Sequence, residues 1–338
     1  SPEECAPLSA AAAAAVMCVD LAPLGVPSPA GLPEAFRGAA DVPELFFGSV
    51  PMQLARWPNE GWVTVSKVVD RGLPESQGGT GGTGIFEYTE DRPGAWDVSR
   101  GVWLHGYWCH DWYDEAIRVK TIDPATKRMT LAKQHGYGLG PAHSWNKAPR
   151  RYYAINVIEE LDAPGEWYLD RQNAVLLFWP PAPLDSAETI LSTLVEPIVT
   201  LKDTAHVTWR GFTMECTQGP AAIIDGGQYN RIAACTIRNT GRQGVSVSGH
   251  NNGVFGCDIY ATGTSGISIN GGDRKALTPG GNVAENNHIH DFARRQRTYA
   301  AAIHLNGVGN RASHNLIHDC QHSGILYGGN EHLIEYNE

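Results

Sequence analysis

Several segments of this 338-residue chain carry side chains whose types and spacing could do chemistry. His290-Asp291 and His318-Asp319 repeat a His-Asp pair 28 positions apart. Stacked at one corner of a repeat, their carboxylates would lie about 5 Å apart, the separation used by retaining glycosidases. Asp after His at such a corner is also an ordinary turn cap, and repetition is what a structural repeat produces, so the pair alone favours a structural role. Asp273, in the Gly-Gly-Asp-Arg run from Gly271, is the best single candidate for a catalytic acid. His304, among small residues on an outward position, is a candidate acid, base or ligand. Around them stand Asn270, Arg274, Arg294, Arg297, Asn306, His322, Asn330 and Glu331. Acids, amides and guanidinium forks offer each hydroxyl of a sugar chain both a donor and an acceptor, so these residues are expected to bind a polysaccharide or glycan. The competing reading makes Asp273 the cap of its own turn and the arginines a solvated loop.

Positioning these residues falls to a repeat. Segments starting at His206, Asn230, Asn252, Asn282, Asn310 and His332 superpose, with a first apolar position at Val207, Ile232, Val254, Ala284, Ala312 and Ile334. A second follows five residues later at Phe212, Ile237, Ile259, Ile289 and Ile317. Intervals of 25, 22, 30, 28 and 22 residues suit one turn of a β-solenoid. Cys235, Cys257, Asn287, Asn315 and Asn337 form an inward polar stack. A second strand in each coil points Ala222, Val245, Ile267, Ile303 and Ile325 inward, and Ser246, Ser268 and His304 outward, with Ser248, Asn270 and Asn306 two residues on. The 30-residue coil holds its extra residues after this strand, at 271–281, and the 28-residue coil before it, at 292–301. The two loops are expected to wall a groove whose floor is Ser268, Asn270, His304 and Asn306.

Upstream, residues 1–44 read as a lead-in, with a short helix near Ala10–Met17 and a strand near Val19–Leu24 at the solenoid edge. Residues 45–183 alternate like antiparallel strands, with hairpin turns at Asp123-Pro124-Ala125-Thr126 and near Arg171-Gln172-Asn173. Residues 187–338 form the parallel β-helix, so the fold class is all-β, a right-handed parallel β-helix preceded by an inserted sandwich- or barrel-like antiparallel domain. The aromatic run WLHGYWCHDWYDE, from Trp103 to Glu115, reads as core, and its histidines lack metal spacing.

Composition narrows the partners. Lys and Arg number 26 against 36 acids, a net charge of −10 without a basic run, which argues against nucleic acid and anionic membranes. No apolar stretch reaches the roughly 18 residues of a span, so no membrane insertion is expected. Seven cysteines lie without a CxxC pair, so no zinc site and no resident cofactor are expected. Cys5 with Cys18 is one disulfide that spacing permits.

The segments ELFFGSVPMQLARWPNEGW, DAPGEWYLDRQNAVLLFWPP, GGDRKALTPGGNVAENNHIHDF, HLNGVGNRASHNLIHD and GGNEHLIEYNE together resemble the pectate-lyase-like superfamily of right-handed parallel β-helices, in particular glycoside hydrolase family 141. The resemblance implies an extracellular or secreted retaining glycosidase acting on plant-type polysaccharide, with GGDR, HLNG and GNEH matching groove-forming motifs. It also implies that an N-terminal stretch and later coils, with the family's acidic pair, lie outside this sequence. The apolar last coil then calls for more chain or a neighbouring chain to cover it. Two alternatives stay open. One is a lyase using His304 with Arg294 or Arg297 against a uronate, often with Ca²⁺; the other is a non-catalytic structural or adhesive module.

Overall fold

The computed structural model describes residues 8–26, 42–140 and 149–338. It forms two compact units, one built mainly on Leu45–Thr189 and the other on Ile190–Glu338, to which Glu44 also belongs. The Cys5–Cys18 pairing falls outside the described residues.

The first unit is mainly antiparallel. Its largest sheet runs through Arg151–Ile155, Trp103–Tyr107, Asp114–Asp123, Arg128–Leu131 and Ile85–Glu87. Phe86, Leu104, Trp108, Ile117, Met129, Leu131 and Tyr152 bury completely against one another. The Trp103–Glu115 run is therefore largely core, and the indole of Trp108 donates to the Glu115 carbonyl at 2.9 Å. Both hairpin turns form on an aspartate: Asp123 Oδ1 accepts from Ala125 N (3.0 Å), and Asp170 Oδ1 from Gln172 N (2.9 Å). The lead-in differs from its expected place. After a helix over Ala10–Ala15, the strand Met17–Asp20 pairs antiparallel with Val175–Phe178 instead of lining the solenoid. The hairpin of Glu166–Asp170 and Val175–Phe178 leaves one ladder of hydrogen-bonding groups open, and the lead-in strand fills it.

In the second unit three parallel sheets share one interior. Sheet I stacks Val199–Lys202, Ala222–Asp225, Val245–Val247, Ile267–Asp273, Ala301–Val308 and Ser323–Asn330. Sheet II stacks Thr208–Arg210, Arg231–Ala233, Gly253–Phe255, Val283–Glu285, Arg311–Ser313 and Leu333–Glu335. Sheet III stacks Thr213–Thr217, Thr236–Thr240, Asp258–Tyr260, His288–His290 and Leu316–His318. Every residue expected inward on sheet I pairs with its counterpart, as in Val245↔Ile267 and Ile267↔Ile303. Only the first coil slips. Trp209 pairs with Ile232 and Met214 with Ile237, two residues after the expected Val207 and Phe212. A slip of two keeps the same face, so alternation cannot detect it. Met214 takes the buried place, while the ring of Phe212 is 48% exposed and stacks on Trp209 at 4.3 Å.

Two polar ladders run through the interior. In one, Cys257 N donates to Asn287 Oδ1, Asn287 N to Asn315 Oδ1 and Asn315 N to Asn337 Oδ1, at 3.0 to 3.1 Å. In the other, Asn230 N donates to Asn252 Oδ1 (2.7 Å), Asn252 N to Asn282 Oδ1 (2.9 Å) and Asn282 N to Asn310 Oδ1 (3.0 Å). These buried amides give backbone donors at the corners a partner that no strand supplies. The corners themselves turn on single left-handed residues: Ala234, Gly256, Asn286, His314 and Tyr336 occupy one column at φ 47° to 58°.

Candidate functional site

The outward side of sheet I carries the sequence candidates. Ser246, Ser268 and His304 share one rung column, and Asn270 pairs with Asn306. His304 is half-buried, and its Nε2 accepts from Ala301 N at 3.2 Å. Burial holds its pKa below the ordinary 6.5, so at neutral pH it is an acceptor or base and not a cation. Beside it, Tyr299 N donates to His322 Nδ1 (3.4 Å), and the two rings lie 5.0 Å apart.

The extra residues of the long coil fold as a hairpin, Ile267–Asp273 against Thr278–Pro279. Gly272 makes the bend at φ +88°, where a Cβ would lie 2.6 Å from the Thr278 carbonyl. Asp273 Oδ1 accepts from Lys275 N at 2.8 Å and Ala276 N at 3.3 Å, so this carboxylate caps its own turn. Arg274 Nε donates to Asn330 Oδ1 (3.4 Å), bringing the hairpin to the exposed end of the last strand, next to Glu331. The candidates therefore separate into two groups. Asp273 lies five residues along its strand from Ser268, the partner of His304. Five residues of extended strand span at most about 16 Å, and the bend at Gly272 lies within them.

The second expected wall is different. Arg294 is tied down completely: Nε donates to Ala261 O (2.6 Å), Nη1 to Glu44 Oε1 (2.8 Å), and Nη2 to Glu44 Oε2 and Thr240 O. The backbone N–H groups of 293–296 are likewise bonded to Thr264, Thr262 and Gly263. This segment is a clasp on the preceding coil, and Arg294 has no free fork for a substrate carboxylate. Arg297, on the same segment, is half-buried.

Sequence reasoning missed a group on sheet III. Asp258 and His288 pair across adjacent strands, as do Tyr260, His290 and His318. His288 Nδ1 lies 2.9 Å and His290 Nε2 3.4 Å from Asp258 Oδ1. His288 Nε2 and His318 Nε2 are 2.7 Å apart. Asp291 and Asp319, the repeated carboxylates, each bond the preceding histidine, at 2.8 and 2.7 Å to Nδ1. The available signal was rung position: Asp258-x-Tyr260, His288-x-His290 and Leu316-x-His318 are in register, whereas matching His-Asp dipeptides leaves Asp258 out.

Residues 220–338 match the family described as a right-handed beta helix region. The fold is similar to that of a solved glycoside hydrolase at 11% identity and a TM-score of 0.57, covering 95% of this chain and 80% of that one. The tailspike protein gp49 from Pseudomonas phage LKA1 aligns over 81% of this chain and 46% of its own at 10% identity, but its TM-score of 0.17 carries no argument. No curated protein matches the chain. The protein is thus a right-handed parallel β-helix that resembles a glycoside hydrolase in fold. Among the described residues no helix is long and apolar enough to cross a membrane.

Proposed function

We propose that this is an extracellular carbohydrate-active protein that binds a polysaccharide along the outward side of sheet I and hydrolyses it. The observation that carries this reading is the rung column of small polar side chains, Ser246 and Ser268 with Asn270 and Asn306, bordered by the 271–281 hairpin. Such a surface offers donors and acceptors at about 4.8 Å steps, suited to a chain of hydroxylated rings. In a retaining hydrolysis one carboxylic acid protonates the leaving oxygen and a second carboxylate attacks the anomeric carbon. Asp273 and Glu331 adjoin in sequence the two residues of the Arg274–Asn330 hydrogen bond, and they are the pair we assign to those roles. His304, neutral and half-buried, serves the far end of the surface as a hydrogen-bonding partner for sugar hydroxyls.

A lyase is less well supported, because Arg294 is committed to Glu44 and so does not neutralise a uronate. Incubation with a panel of plant and algal polysaccharides separates the readings. New reducing ends without unsaturated product support hydrolysis; absorbing unsaturated ends would show elimination instead. With neither product, and with Asp273→Ala and Glu331→Gln binding glycan like the wild type, the protein is a structural or adhesive module.

A further inference from the structure

The outward row of sheet III ends in a cluster that a glycan surface on sheet I leaves unused. Along the strand His288–His290 alternation puts both histidines on one side, with Ile289 buried between them. Asp258 stands opposite His288 on the preceding coil and His318 opposite His290 on the following one. We propose that Asp258, His288 and His290 bind one divalent transition-metal ion of the Zn²⁺ class, with Asp291, His318 and Asp319 orienting the two imidazoles.

Convergence of the donor atoms carries the inference. The cluster contains five short polar contacts, and as metal ligands or their partners the three imidazoles would each carry one ring proton. One set of tautomers uses them all in three hydrogen bonds: His290 Nδ1 to Asp291, His318 Nδ1 to Asp319, and His288 Nε2 to His318 Nε2. That leaves His288 Nδ1 and His290 Nε2 as lone pairs, both directed at the same carboxylate oxygen, 2.9 and 3.4 Å away. This oxygen, Asp258 Oδ1, is shut off from solvent and accepts no hydrogen bond from any described group. Three lone pairs converging on one point repel one another unless a cation lies between them.

Ligand geometry agrees. One donor atom from each of Asp258, His288 and His290 lies within 4.8 Å of the others. Nitrogen and oxygen ligands at about 2.0–2.2 Å in a tetrahedron stand about 3.3 Å from each other, close to the 2.9 and 3.4 Å seen here. The imidazole planes are inclined by 27°, and the soft χ2 torsion of histidine supplies the rotation that directs both lone pairs at one ion. Two imidazoles and a carboxylate select Zn²⁺ and its neighbours over Ca²⁺ or Mg²⁺, which take oxygen. The Asp291 carboxylate behind His290 matches the outer shell that fixes metal-bound histidines. Side chains of Asp258 and His288 are 45% and 41% exposed, so the cluster lies at the surface.

The test is chelator-stripped full-length protein titrated calorimetrically with Zn²⁺, and with Co²⁺ for its visible absorption. One ion per chain is expected, with intense four-coordinate Co²⁺ bands and a rise in Tm that chelator reverses. Asp258→Asn should weaken Zn²⁺ binding about 100-fold and Asp291→Asn about 10-fold. His314→Ala, an exposed histidine on sheet II's corner column, should leave binding unchanged. Absence of saturable binding by folded wild-type protein overturns the proposal. So does unchanged stoichiometry in a folded His288→Ala/His290→Ala variant.

Discussion

The antiparallel unit and the solenoid both bury polar groups, and they keep them there by opposite means. In the antiparallel unit the buried groups are titratable, and burial holds them toward their neutral forms. Glu160, 1% exposed, accepts from Trp96 Nε1 (2.6 Å) and Arg92 Nε (3.1 Å), yet burial raises its pKa to about 7. Burial outweighs the guanidinium because the Arg92 side chain is itself half in water. His135, equally buried, is pushed down to about 4 by the same cause. The solenoid instead chains neutral amides, each accepting from one coil and donating to the next. Translation accounts for the difference: a repeat offers every amide an identical neighbour along the axis, whereas an antiparallel sheet must find a unique partner for each charge. The unit with charges should respond to pH, and the unit with amides should respond to truncation.

The sharpest way to break this contrast is Asn287→Ala. It strands Cys257 N in the interior and removes the amide donor to Val254 O and Asn315 Oδ1. A loss of about 3–5 kcal/mol in denaturant unfolding of the solenoid is expected. A loss under about 1 kcal/mol would mean the ladder is ornament.

Next in size is the pH dependence of the antiparallel unit. Glu160 is raised in the fold, so its contribution is full below about pH 4.5 and is lost as pH climbs to about 7, on the order of 3 kcal/mol in all. His135 is lowered, so its contribution is full above about pH 6.5 and is lost as pH falls toward 4. The two slopes oppose each other across the same window. Glu160→Gln should therefore unmask stability that rises between pH 4 and 6.5, and His135→Gln stability that falls, both read from Tm series. Parallel slopes in the two variants would contradict the assignment.

The smallest effect belongs to the outward row. Arg238 bridges Glu215 (2.7 Å) and the Tyr260 hydroxyl (2.9 Å) across three coils, but all lie at the surface. Arg238→Ala should cost less than about 1 kcal/mol, and that cost should shrink in salt. A larger loss would erase the distinction between inner and outer ladders.

Much of the solenoid was legible because its signals are local. Alternation fixed which residues of sheet I point outward, and coil length located both loops. Three things were hidden, each for a physical reason. The first coil slips by two residues, which alternation does not register. Arg294 is held by Glu44, 250 residues away, so no spacing could connect them. Asp258 joins His288 only through rung pairing, while the repeated His-Asp dipeptides drew attention to carboxylates that hold the rings from behind. Asp273 is balanced between acid and turn cap in the sequence, and its Oδ1 accepts from the turn N–H groups of Lys275 and Ala276.

The amide ladder that begins each coil spans links of 22, 30 and 28 residues, and its hydrogen bonds are 2.7, 2.9 and 3.0 Å. The ladder does not register how much chain lies between its rungs. Insertions are thus absorbed at a corner and never propagate, so a coil can gain or lose a loop while its neighbours keep their register. Evolution, or a protein engineer, can rewrite the surface of such a molecule one loop at a time without renegotiating its interior.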